Sequence, residues 1–108
     1  MDSLNFSHTA KQIFNDIVMQ IEAHDKDSLV EIEESGDVVF IITNNGNFAL
    51  NAQSVRREIW LSSPISGAYH FSRNDKSWIN KDNISLYTIL SDELSQILNK
   101  VIVLKEGR

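Results

Sequence analysis

Residues 4–23 repeat apolar side chains at the spacing of a helix. The repeated positions are Phe6, Ala10, Ile13, Phe14, Ile17 and Ile21. At about 100° per residue these side chains fall in one stripe, which predicts an amphipathic helix with one buried side. The polar stretch 24–28 interrupts the pattern and is predicted to end the helix.

From Leu29 onward the apolar period changes to two residues, which is typical of strands with one buried face. Alternation and turn residues together predict six short strands, over 29–33, 38–43, 48–53, 58–62, 68–71 and 77–79. Gly, Asn, Asp, Ser and Pro cluster between them, and these residues favour tight turns. Residues 85–99 then return to helical spacing and predict a second helix.

The predicted order is therefore a helix, about six strands and a second helix. The connections between the strands are too short for the crossovers that parallel pairing needs, so an antiparallel meander is expected. Packing both helices on one face buries the apolar side of the sheet. The sequence predicts an α+β protein, a two-layer α/β sandwich whose N- and C-terminal helices share one face, as a single domain over residues 1–108.

Such an architecture leaves the other face of the sheet exposed to solvent. Because strand neighbours point to opposite faces, Trp60 must point outward if Ile59 and Leu61 are buried. The same parity assigns four residues to the outer face: Asn51, Gln53, Trp60 and His70. A Trp beside amides and an imidazole is typical of a protein-docking patch. The alternative is that Trp60 only covers its neighbours, since single exposed apolar residues are common.

Charge is distributed unevenly along the chain. The 108 residues carry a net charge of −5, but residues 1–37 hold nine acids and two bases, whereas residues 38–108 hold six acids and eight bases. Such an acidic first third disfavours nucleic acid as a partner, because phosphate binding needs clustered Lys and Arg. It favours cations or basic protein surfaces. The alternative is a solvated face that keeps the protein soluble.

Several kinds of site are excluded by composition. The sequence contains no Cys, which removes disulfides, thiol nucleophiles and thiolate-held clusters. No apolar run approaches the ~18–20 residues that span a bilayer, so no membrane association is expected. The start of the chain lacks the pattern of a signal peptide, which predicts an intracellular protein. No phosphate loop or nucleophile motif is present, and we expect a protein that is not an enzyme.

Three runs of sequence together resemble the frataxins, and in particular their bacterial CyaY branch. The runs are Ala-Leu-Asn-Ala-Gln at 49–53, Glu-Ile-Trp-Leu-Ser-Ser-Pro at 58–64 and Ser-Gly-Ala-Tyr-His-Phe at 66–71. Frataxins share an Asn-x-Gln strand, a Trp-Leu strand, a Ser-Gly turn and a second Trp, which Trp78 matches. The helix–meander–helix order agrees as well. The absence of basic residues directly after the Ser-Gly turn is similar to the bacterial branch.

The resemblance implies a protein that binds ferrous or ferric iron weakly through an acidic ridge. It also implies docking on a cysteine desulfurase and on the scaffold protein for iron–sulfur clusters, as a regulator or iron donor. The ridge positions carry over to Glu22, Asp25, Asp27, Glu31 and Glu33, and the docking face to Asn51, Gln53 and Trp60. Where the family often has further acids, this chain has Val18, Met19, Ala23 and Leu29. We expect a monomer in a bacterial cytoplasm, with the mitochondrial matrix as the alternative compartment.

The chemistry of the acidic residues agrees with a hard cation. Carboxylates without thiolates suit iron, manganese or calcium, and Glu31 and Glu33 should project from one strand face about 6–7 Å apart. The three His have no metal-ligand spacing, so zinc is not expected. Because no closed cage is evident, the predicted iron binding is weak and loose.

Three function hypotheses follow from these residues. The first is an iron-binding regulator of iron–sulfur cluster assembly, which rests on the acidic residues and the frataxin resemblance. The second is a metal-independent protein-binding module that acts through the exposed sheet face. The third, an iron-oxidising enzyme, is disfavoured because the sequence supplies only a surface strip of carboxylates.

Overall fold

The computed structural model describes residues 3–107 of the protein, with side chains from residue 5 onward. Over this part of the chain there are two helices and six strands. Their bounds are α1 (Ser3–His24), β1 (Glu31–Ser35), β2 (Val38–Thr43), β3 (Gly46–Gln53), β4 (Glu58–Ser63), β5 (Gly67–Asn74), β6 (Ser77–Ile79) and α2 (Leu86–Leu98). The predicted order of elements is confirmed.

The strands form one antiparallel sheet in the order β1-β2-β3-β4-β5-β6, so each strand pairs with its neighbours along the chain. The core lies between this sheet and the two helices. Its side chains come from one stripe of each helix and from alternate strand positions, among them Phe6, Ile17, Ile41, Leu50, Ile59, Leu61, Phe71, Trp78, Leu90 and Leu94. The predicted two-layer α+β class is therefore correct.

The start of β1 differs from the prediction. The sequence pattern places the strand at 29–33, whereas β1 runs from Glu31 to Ser35. The carboxylate of Asp25 accepts hydrogen bonds from the backbone N–H groups of Leu29 at 2.7 Å and Val30 at 2.9 Å. These two residues are therefore held in the connection and pairing with β2 begins only afterwards.

The segment after α2 joins the two helices to the sheet. The Gln20 side chain on α1 accepts from the N–H of Lys105 at 2.8 Å and donates to its C=O at 2.9 Å. The Glu106 carboxylate accepts from the N–H of Trp78 at 3.0 Å, and Ile102 and Leu104 are buried in the core. The segment after α2 therefore connects α1 to β6 and stabilises the packing beneath the exposed sheet face. Within the described residues, neither helix has the length and apolar character to span a membrane.

Candidate functional site: an exposed sheet face and an acidic strip

The outer face, defined here as the side of the sheet turned away from the helices, carries the residues that parity assigns to it. In the strand register, Asn51 lies opposite Trp60 and Trp60 lies opposite His70. Their strand neighbours Leu50, Ile59, Leu61 and Phe71 are fully buried. Asn51, Trp60 and His70 thus form one row across β3, β4 and β5, and Gln53 lies beside this row on β3.

Trp60 is held in place by its neighbours on the outer face. Its indole stacks on the His70 imidazole with ring centroids 4.1 Å apart and planes inclined by 9°. Its Nε1–H donates to Glu58 Oε1 at 2.9 Å. An indole whose face and N–H are both in contact has few orientations open to it. Glu58 was not singled out in the sequence, although it lies two residues before Trp60 and so shares its strand face.

The two predicted amide residues form a polar pair beside this stack. Gln53 Nε2 donates to Asn51 Oδ1 at 3.1 Å, and both side chains are half-buried. An amide pair of this kind offers both donors and acceptors to a partner surface. The row across β3, β4 and β5 therefore combines a flat aromatic surface with directional hydrogen-bonding groups.

The outer face continues across β2 to the sheet edge. Phe40 is 37% exposed and lies opposite Ala49 on one side and Glu33 on the other. Phe40 was not among the residues predicted for this face, although the alternation with the buried Val39 and Ile41 that flank it places it there. Phe40 adds an apolar area between Trp60 and the acidic edge, and apolar area with a charged rim is the usual composition of a protein interface.

The acidic strip, defined as the five predicted acids Glu22, Asp25, Asp27, Glu31 and Glu33, lies in two places. Glu31 and Glu33 stand on β1 opposite Ile42 and Phe40, and both are exposed on the outer face. This agrees with the predicted alternation. Two acids of the strip therefore lie on the outer face itself, at its β1 edge.

The other three acids surround the end of α1. Glu22 and Asp27 are exposed, whereas both carboxylate oxygens of Asp25 accept from backbone N–H groups. Within residues 5–107 there is no group of three or more His, Asp or Glu side chains placed to hold one metal ion together. The strip can attract cations as an exposed charged surface, but the described residues form no compact ligand cage.

Asp16, another acid within residues 1–37, does not contribute to the acidic strip. Asp16 Oδ2 accepts from the Tyr87 hydroxyl at 2.6 Å and from Gln20 Nε2 at 2.9 Å. Its carboxylate therefore connects α1 to α2. On the outward side of α1, Met19 is 64% exposed, so the second half of this helix adds little negative charge to the strip besides Glu22.

Comparison with known proteins identifies the family. A family model described as a frataxin-like domain matches residues 1–100. The mitochondrial frataxin homolog of Schizosaccharomyces pombe is 30% identical over 97 residues, covering 87% of this chain and 60% of that protein. The mitochondrial frataxin of Dictyostelium discoideum is 34% identical over 71 residues, covering 62% of this chain and 37% of the relative. The chain therefore spans less than two thirds of the length of these relatives.

Solved structures show the same fold. Frataxin from Psychromonas ingrahamii, described as a member of the CyaY family, has a TM-score of 0.86 at 20% identity and covers 98% of this chain and 100% of its own. Trimeric frataxin from Saccharomyces cerevisiae, in a structure complexed with ferrous iron, has a TM-score of 0.71 at 24% identity over 88% of this chain and 87% of its own. The fold is thus more similar to the CyaY family member than to the yeast protein. The predicted family is confirmed, and the chain belongs to the frataxin family.

Proposed function

We propose that this protein takes part in iron–sulfur cluster assembly as an iron-binding regulator or iron donor that docks on a cysteine desulfurase and its scaffold protein. One observation carries the proposal: Glu31 and Glu33 share a single sheet face with Phe40, Trp60 and His70. A partner with a basic rim and an apolar centre could contact all of them at once. Membership of the frataxin family supports the choice of partners.

Iron is proposed as a weakly held cargo of the acidic strip. Exposed carboxylates suit hard cations such as ferrous and ferric iron, and a related yeast frataxin has been solved with ferrous iron. Since the described residues form no group of three metal-ligating side chains, we propose loose binding in which water completes the coordination. Glu31 and Glu33 lie two residues apart on one face of β1.

We propose that electrostatic attraction to the acidic strip brings the partner close before it makes contact with Trp60. The acidic strip raises the rate of encounter with a basic surface, and Trp60 supplies the kind of aromatic anchor that dominates protein interfaces. We further propose that the protein is a monomer without enzymatic activity. A bacterial cytoplasm is the proposed compartment and the mitochondrial matrix the alternative, since the curated relatives are mitochondrial.

A titration with ferrous iron under anaerobic conditions tests the metal part. Backbone amide signals in residues 16–37 should shift, whereas those of α2 should stay unchanged. Shifts spread evenly over the protein, or none at millimolar iron, would remove iron binding from the proposal.

The partner part is tested by capture of a purified cysteine desulfurase on immobilised protein, with and without ferrous iron. Binding should weaken as the salt concentration rises, because part of the attraction is electrostatic. If the desulfurase is not retained even at low salt, the docking proposal fails.

A metal-independent protein-binding module is the second candidate function. The observation that favours it is the contrast between the fixed Trp60 side chain and the absence of a three-acid group among the described residues. Equal affinity for the desulfurase with and without iron, together with loss of binding in Trp60→Ala, would favour this candidate over the first.

A further inference from the structure

The Glu58 carboxylate connects three side chains on the outer face. Its Oε1 accepts from Trp60 Nε1 at 2.9 Å, lies 3.6 Å from Arg56 Nε and lies 3.9 Å from His70 Nδ1. The Glu58 side chain is 23% exposed, compared with 69% for Arg56 and 52% for His70. Glu58 is therefore less exposed than Arg56 and His70, and it contacts both of them as well as Trp60.

The stack between Trp60 and His70 is built into the strand register. The two residues face each other directly on β4 and β5, and side chains at such positions are close enough for their rings to touch. His70 covers one face of the indole, while Glu58 binds its N–H. An anchor that is already fixed before docking loses less conformational entropy when the complex forms.

The charge on His70 changes the strength of these contacts. Imidazole side chains change charge between about pH 5 and 8. A protonated ring over an indole face adds a cation–π attraction and attracts the Glu58 carboxylate. Among the other charged groups nearby, Arg56 from the β3–β4 turn lies against Glu58, and Lys81 and Asp82 line a groove of about 720 Å³ together with His70 and Glu58.

We propose that Glu58 and His70 are positioning residues that hold Trp60 in its docking orientation, and that protonation of His70 tightens this arrangement. The proposal deepens the proposed function and rests on it, since it assumes that Trp60 is the docking anchor. Glu58 Oε1 lies 3.9 Å from His70 Nδ1, and Lys81 and Asp82, which carry opposite charges, line the same groove.

A pH titration of the free, isotope-labelled protein tests the positioning without any partner. The indole N–H signal of Trp60 should change together with the ring signals of His70 as the pH is varied. Trp78, which is 2% exposed in the core, provides an internal control whose signal should not change. His70→Phe retains a flat ring on the indole but cannot titrate, so the pH dependence should disappear while the Trp60 signal stays dispersed.

A Glu58→Gln variant separates the hydrogen bond from the charge. Its amide oxygen can still accept from the indole, so the Trp60 signal at high pH should stay close to that of the wild type, whereas the change at low pH should become smaller. The positioning proposal is overturned if the Trp60 signal is independent of His70, or if His70→Phe shows the same pH dependence as the wild type.

Binding to a cysteine desulfurase at about pH 8, where imidazole is mostly neutral, tests whether positioning affects docking. His70→Ala should weaken binding roughly 2- to 10-fold, the cost of ordering one large side chain, and His70→Phe, which retains a flat ring on the indole, should weaken it less. Equal binding by wild type and His70→Ala would contradict the proposal. If the wild type itself does not bind, the proposed function fails, and the titration of the free protein alone decides whether Glu58 and His70 position Trp60.

Discussion

The acidic strip overlaps the β1 edge of the outer face, but its side chains are held less firmly than those around Trp60. On the outer face, Trp60 is stacked on His70 and hydrogen-bonded to Glu58. In the strip, Glu31 and Glu33 are exposed, and Asp25 uses its carboxylate to hold its own backbone. Fixed aromatic groups suit specific recognition, whereas exposed carboxylates suit long-range attraction and weak cation binding. The two regions should therefore respond very differently to substitution.

The largest expected effect is on docking through the outer face. Trp60→Ala should weaken binding to a cysteine desulfurase by about 2 kcal/mol or more, because it removes a central aromatic anchor. Calorimetry measures the affinity, and circular dichroism checks that the variant is folded. Val101→Ala is the matched control, since Val101 is 79% exposed after α2 and lies outside both regions. Unchanged binding by Trp60→Ala would contradict the account of the outer face.

The next effect concerns stability at the acidic strip. Asp25→Ala should lower the free energy of unfolding by about 1–2 kcal/mol, because the N–H groups of Leu29 and Val30 lose their charged acceptor. Asp27→Ala, at an exposed position nearby, should stay within about 0.5 kcal/mol of the wild type. Urea unfolding distinguishes the two. Equal losses in both variants would show that Asp25 has no special structural role.

A smaller effect is expected from charge reversal at the edge of the outer face. Glu33→Lys should weaken desulfurase binding by about 1 kcal/mol or less at low salt, and the difference should shrink as salt is added. Asp92→Lys makes the same charge change at an exposed position on α2 and should leave binding nearly unchanged. If the two reversals weaken binding equally, only net charge matters and the position of the acidic strip does not.

The smallest effect is an increase in iron affinity. Met19 is 64% exposed on α1, three residues before Glu22, so Met19→Glu places a second carboxylate beside it. Ferrous iron affinity should rise by about twofold, in keeping with an exposed charge pair of about 0.5 kcal/mol. Met19→Gln has a similar shape without the charge and should show no gain. A gain in both variants would rule out the electrostatic explanation.

The outer face was predictable from the sequence because strand alternation is a local rule. Once Ile59 and Leu61 are taken as buried, the side of the sheet on which Trp60 lies is decided, and the same rule places Asn51, Gln53 and His70. The order of helices and strands was predictable for the same reason. Strand alternation does not show which acceptor the indole N–H of Trp60 binds. The role of Glu58 is therefore seen only in the structure.

The acidic strip was less predictable because it depends on a change of chain direction. The frataxin resemblance implied Asp25 and Asp27 as ligands of the ridge, but the connection between α1 and β1 turns Asp25 back onto Leu29 and Val30. Asp16 gives a second example, since its partner Tyr87 lies 71 residues further along the chain. A long-range contact of this kind leaves no local pattern in the sequence.

The most direct test of the central claim is to map the surface that the partner covers. Amide signals of the isotope-labelled protein would be followed while unlabelled cysteine desulfurase is added at low salt. The account predicts signal loss at Glu31, Glu33, Phe40, Trp60 and His70, with α2 unaffected. Signal loss concentrated on α2, or no change at any ratio, would contradict the claim that this frataxin docks through its outer face.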